Sequence, residues 1–137
     1  MKTKQMLAIH ELLSRAAYYF DIRDTDRLEA CFTEDARMLV EISGGDTFGP
    51  FEGRAAIMEL MRGTLEAQKD KRRHIICDII FEKEEKAEAT VVSTLVVTSV
   101  ENDAMTLVTS GVYRDVVRKT GSAWLIADRH LDLDRGF

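Results

Sequence analysis

The sequence predicts an α+β domain in which helices come first and a curved, mostly antiparallel sheet follows. Three observations carry that expectation. Apolar residues recur at three- and four-residue steps through the first part of the chain, which is the period of an amphipathic helix. After Lys71 the texture changes to long runs rich in Val, Ile and Thr, joined by short charged or Gly-containing connections of the kind found in hairpins. The composition of 137 residues, 45% hydrophobic and 31% charged with a single Pro, suits one packed core and excludes disordered, collagen-like and disulfide-stapled chains.

From Thr3 to Phe20, residues Met6, Ile9, Leu12, Leu13, Ala16, Tyr19 and Phe20 share one face, so this segment reads as a long helix. Asp24 or Thr25 can accept free amide protons at the start of a second, short helix with Leu28, Cys31 and Phe32 inward, ended by Thr33-Glu34-Asp35. Arg37–Ile42 reads as a strand and Ser43–Asp46 as a turn. Gly53 is the break before a third helix over Arg54–Gln68, with Ile57, Leu60, Met61 and Leu65 inward. Three long strands and a shorter one follow at His74–Phe81, Ala87–Val100, Met105–Lys119 and Trp124–Asp132. Their short links force antiparallel neighbours, so the second half is a meander. Helices covering one face of a strongly bent sheet leave a cone with an apolar interior, a natural small-molecule site.

Charge and motifs remove several function classes. Nineteen Lys and Arg against twenty-four Asp and Glu give a formal charge of −5, so no global positive field gathers phosphate backbones and nucleic acid is not an expected partner. Lys2 and Lys4 are followed by a segment interrupted by His10, Glu11 and Arg15, which is not a secretion signal. The apolar stretches Ile75–Phe81 and Val91–Val100 are too short or too rich in Thr and Ser to cross a bilayer. A cytoplasmic location with no membrane partner is therefore expected, and Cys31 and Cys77 read as small buried hydrophobes. There is no phosphate-binding P-loop, no Gly-x-Gly-x-x-Gly after a strand, no His-Glu-x-x-His and no Gly-x-Ser-x-Gly. Asp24-Thr-Asp26 lacks the Gly and closing Glu of a calcium loop, so it reads as a helix cap. Neither a cofactor nor a metal is expected. Asp128, His130, Asp132 and Asp134 alternate along one strand face as a half-solvated strand would.

In order along the chain stand Ile9-x-x-Leu-Leu, Tyr19-Phe20-Asp21-Ile-Arg-Asp24, Leu28-x-x-x-Phe32-x-x-Asp35-Ala36 and Gly53-Arg54-x-x-Ile57. They are followed by Arg73-His74-x-x-x-Asp78 opening a strand, Gly111-x-Tyr113-x-Asp115, and Trp124-x-Ile126-x-x-Arg129 with a terminal Leu131-Asp-Leu-Asp. In this order and spacing the chain resembles the SnoaL-like family of the NTF2-like superfamily over nearly its whole length, as one domain spanning 1–137. The resemblance implies an NTF2-like cone, with N-terminal helices packed on the sheet and enclosing a pocket. It also implies a small-molecule lyase or isomerase of dehydratase or cyclase type. Because the fold hosts small subunits of ring-hydroxylating dioxygenases too, a non-catalytic ligand-binding or assembly module is the alternative. Catalytic members such as scytalone dehydratase and hexachlorocyclohexane dehydrochlorinase pair an Asp near the end of the first helix with a His opening the strand after the third. Asp21 and His74 occupy those positions.

Imidazole, with a reference pKa of about 6.5, is largely neutral near pH 7 and suits removal of a proton from carbon. A carboxylate on its other nitrogen fixes the tautomer and stabilises the imidazolium that forms. His74 is thus the candidate base and Asp21 its orienter. Asp78 stands where the family commonly has Asn. On a strand it shares a face with His74 and reads as a second partner, a protonated acid or a solvent-facing substitution. Phe20 precedes Asp21 where scytalone dehydratase has Tyr, and neither His10 nor His130 is placed to supply that enzyme's second imidazole. Tyr113 is a phenol donor or a packing residue. Arg129, on the face carrying Leu125, Ala127 and Leu131, needs an anion such as Asp21, Asp78 or a substrate oxygen. Lys69-Asp-Lys71-Arg72-Arg73 reads as a solvated corner able to steer an anion toward His74. Phe48, Phe51, Met58 and Met61 are expected to shape the pocket. The expected partners are a small apolar or polycyclic molecule and further copies of the chain, as a homodimer or homotrimer joined through Thr94, Val96, Thr98 and Val100.

Overall fold

Ile9, Leu12, Leu13 and Ala16 fall on one side of a helix, and in the computed structural model, which describes residues 1–137, that side of α1 (Thr3–Asp21) is buried against the sheet. A short helix α2 (Thr25–Glu29) follows, its start capped by the Asp24 carboxylate accepting the Arg27 N–H at 3.2 Å. This is the capping role expected of the Asp24-Thr-Asp26 run. The helix stops earlier than the periodicity suggests. Cys31 and Phe32 lie beyond it, and the first strand, β1 (Phe32–Ile42), begins at Phe32 rather than Arg37. The Cys31 carbonyl accepts the Ile126 N–H at 2.8 Å, which draws this segment into the sheet.

A strand not expected from the sequence, β2 (Thr47–Glu52), pairs antiparallel with β1 and contains Pro50. Proline is tolerated there because β2 is a sheet edge whose outer N–H positions need no partner. Gly53, at φ 90°, makes the turn into α3 (Arg54–Ala67), whose buried residues are Ile57, Met58, Met61 and Leu65; Leu60 is only half-buried. The meander then runs through β3 (Lys71–Glu84), β4 (Glu88–Glu101), β5 (Ala104–Thr120) and β6 (Ala123–Leu133).

The six strands form one open, mixed sheet in the order β2-β1-β6-β5-β4-β3, antiparallel except where β1 lies parallel to β6. Helix α1 packs on β3 and α3 on β1, so the helices cover one concave face. Bulges supply the bend, because each adds a residue to one strand only. One lies between Cys77 and Ile80 of β3, a second between Val97 and Thr98 of the β4–β5 pair, and a third at Val116/Val117 opposite β6; β3 has a further one between Phe81 and Lys83. Beyond the third bulge Ala127, Arg129, Leu131 and Leu133 point inward after Trp124 and Ile126. Leu125 is therefore on the other face from Arg129, contrary to simple alternation.

Two apolar clusters form the interior. The larger joins α1, α2 and α3 to the sheet around Ile9, Leu13, Leu28, Phe32, Ile57 and Ile126. The smaller lies at the other end of the sheet and holds Leu95, Val97, Tyr113, Leu131 and Leu133. Cys31 is buried, and burial pushes its thiol above the ordinary range. Cys77 is exposed on the outer face, which corrects the expectation of two buried thiols; both cysteines are free.

At Gly111 of β5 the β6 backbone comes so close that a Cβ would stand 2.5 Å from the Asp132 carbonyl oxygen and 3.1 Å from the Leu133 Cα. Backbone atoms cannot swing aside, so Gly111→Ala is expected to cost about 1–3 kcal/mol by overpacking. Urea unfolding of the two proteins checks this; unchanged midpoints would show that β6 yields freely.

Candidate active site

The last turn of α1 brings Asp21 onto the start of β3. Asp21 Oδ1 lies 2.6 Å from His74 Nδ1, and its Oδ2 accepts the His74 backbone N–H at 2.8 Å. The carboxylate is thereby held at two points, and only 4% of the Asp21 side chain and 10% of the His74 side chain are exposed. An ionised carboxylate only accepts hydrogen bonds, so Nδ1 carries the proton of the neutral ring and Nε2 keeps its lone pair. No group of the chain bonds Nε2, while His74 lines the internal cavity. Phe20 meets the imidazole edge-on, with ring centroids 5.0 Å apart.

The cavity measures about 270 Å³ and lies between the two apolar clusters; fourteen of its nineteen lining residues are hydrophobic. Phe20, Phe48, Met61, Tyr113 and Arg129 are on its wall, as the sequence suggests. Met58 and Phe51 are not. Met58 is buried in the core beneath α3, and Phe51, on the edge strand β2, packs against that same core. Asp78 is also absent from the wall. It sits at the first β3 bulge with φ 52° and an exposed side chain, because the extra residue reverses the alternation that would have placed it beside His74. Of its three readings, the solvent-facing substitution is the one the geometry fits.

Thr64, Gln68 and Phe137 line the cavity beyond the residues the sequence suggests, and so does Arg72, which belongs to β3 and is half-buried on the wall rather than part of a solvated corner. Arg72 had a usable signal, since it precedes His74 by two residues and shares its strand face. Phe137 had none, because its position depends on the chain folding back past β6.

The anion beside Arg129 is Asp115, its direct neighbour across the β5–β6 pair, rather than Asp21, Asp78 or a substrate. The Arg129 Nε and Nη2 donate to the two Asp115 oxygens at 2.8 and 3.0 Å, a bidentate pair with Asp115 fully buried. Burial opposes the guanidinium charge, yet Asp115 outweighs it and holds the Arg129 pKa above its ordinary value. The guanidinium stacks 4.0 Å from the Tyr113 ring centroid, and burial keeps the Tyr113 phenol above its usual range. On the outer surface, His130 Nε2 lies 3.4 Å from Glu41, away from the cavity.

Removing one partner of the Arg129–Asp115 pair leaves an uncompensated buried charge. Asp115→Ala is expected to cost about 3–5 kcal/mol, and the double variant Asp115→Leu/Arg129→Met much less than the single one. Denaturant titration of both would test this; equal losses would show that the pair is not the unit.

Residues 2–130 match the family model described as a SnoaL-like domain. No curated protein sequence matches significantly. Among solved structures, an NTF2-like protein with a cystatin-like fold from Novosphingobium aromaticivorans superposes with TM-score 0.81 at 25% identity, covering 98% of this chain and 84% of that one. A protein of the same organism assigned as a scytalone dehydratase gives TM-score 0.77 at 22% identity, with coverage of 94% and 83%. A beta subunit assigned to an aromatic-ring-hydroxylating dioxygenase, again from that organism, gives 0.83 at 16% identity, with 99% and 94%.

Proposed function

The chain belongs to the SnoaL-like domain family, and within it we propose a cofactor-independent lyase or isomerase, of dehydratase or cyclase type, acting on a small apolar molecule. The observation that carries this reading is the buried Asp21–His74 pair, which leaves Nε2 unbonded at the wall of an apolar cavity. In a dehydration, Nε2 takes a proton from the carbon beside a carbonyl. The C–H electron pair becomes the new C=C bond as hydroxide leaves the next carbon, and the imidazolium returns its proton to that hydroxide as water. In an isomerisation the same proton returns to a different carbon. Asp21 stabilises the imidazolium in both cases, and the dry wall strengthens that attraction. Two free cysteines and no disulfide suit work in the reducing cytoplasm.

Hydrogen exchange at a carbon acid isolates the proton-transfer step. With β-tetralone in deuterium oxide followed by proton NMR, the protein is expected to accelerate exchange next to the carbonyl. His74→Ala should return the rate to that of buffer, and Asp21→Asn should lower it by about a hundredfold or more. Exchange by His74→Ala at the wild-type rate would overturn the dyad.

An exposed apolar face supports self-association, which the second reading, an assembly module, would require. The outer face of the sheet carries exposed Ile75, Ile80, Met105 and Leu107, beside the half-buried Thr94, Val96, Thr98 and Val100. A homodimer or homotrimer formed through this face is compatible with either reading. Light scattering is expected to give two or three copies per particle, with Leu107→Glu and Ile80→Glu together shifting it toward one. A monomeric wild-type protein would contradict self-association.

A further inference from the structure

The cavity wall carries Arg72, His74 and Arg129 as its charged or readily protonated side chains, and no Asp or Glu side chain lines it. Arg129 is satisfied by both Asp115 oxygens, and His74 is paired with Asp21. Arg72 differs. Its Nε donates to Asp70 Oδ2 at 2.8 Å, but its two terminal Nη groups have no partner in the chain. The side chain is only 21% exposed and its guanidinium carbon lies 5.5 Å from the Phe137 ring centroid. Asp70 is itself fixed by the Ser99 hydroxyl, and that bond together with Arg72 holds its carboxyl below the usual range. Asp70 therefore orients the guanidinium from its Nε side, the Phe137 ring lies beside it, and the two Nη groups are left open. A planar fork presented in this way matches a carboxylate, which can accept two parallel N–H bonds.

We propose that Arg72 is an anion-recognition site at the mouth of the cavity, and that the molecule bound there is a small ring compound with an apolar body and one carboxylate. This rests on reading the cavity as the substrate site. Arg72 and His74 are two residues apart on one face of β3, so their Cα atoms are separated by about 7 Å. A molecule of one or two rings can span them, with its carboxylate on Arg72 and its reacting carbon near His74 Nε2. The rest of the wall, which includes Phe20, Leu60, Met61 and Leu131, accepts the ring body.

The test compares β-naphthoate with β-naphthylmethanol, which share the ring system and differ in charge, by isothermal titration calorimetry. The wild-type protein is expected to bind the carboxylate at least about tenfold more tightly. Arg72→Met, which keeps the aliphatic stem, should lose that preference while binding the alcohol as before. Arg72→Gln is a second neutral replacement should the Met variant fail to fold. Both arms measure binding alone, so they stand whether or not His74 removes a proton. Equal affinities in the wild type, no binding of the carboxylate, or a preference undiminished in the variants would each overturn the assignment.

Discussion

The contact between the end of α1 and the start of β3 is the constraint on which the rest of the cavity depends. One carboxylate, Asp21, holds both the imidazole and the backbone N–H of His74. The bond thus ties a helix to the sheet and at the same time sets which ring nitrogen faces inward. A polar pair this deeply buried must be fully satisfied to be tolerated, and here every group but Nε2 has its partner inside the chain. The unsatisfied nitrogen is the one that opens on the cavity.

The sheet explains why there is a cavity at all. Extra residues at the bulges turn a long antiparallel ribbon around the helices, and two apolar clusters form with a space between them. The same bulges choose which side chains enter that space. They turn Asp78 out and bring Arg129 in. The buried Arg129–Asp115 pair then crosslinks β5 and β6 behind Tyr113, giving one cavity wall a fixed polar backing.

Much of the architecture was legible in the sequence, because α1, α3 and the meander follow periods that any window reveals. Asp21 and His74 were legible through the spacing of the motifs around them. What escaped has common physical causes. β2 contains Gly49-Pro50, which reads as a break, and becomes a strand only because an edge tolerates it. Phe32 reads as the inner face of α2 until its pairing with Ile126 places it in β1. The faces of Asp78 and Leu125 depart from simple alternation because a bulge shifts it by one residue and leaves no clear mark in the sequence. Asp115 as the partner of Arg129 required the β5–β6 register, which local patterning does not supply.

The central claim is that Asp21 fixes His74 in one tautomer with a free lone pair toward the cavity. Nitrogen chemical shifts of the uniformly labelled protein, assigned by comparison with His74→Ala, test it directly. At a pH where the ring is neutral, Nδ1 should appear protonated and Nε2 unprotonated, and Asp21→Asn should disturb that pattern. A neutral His74 with the proton on Nε2 would contradict it.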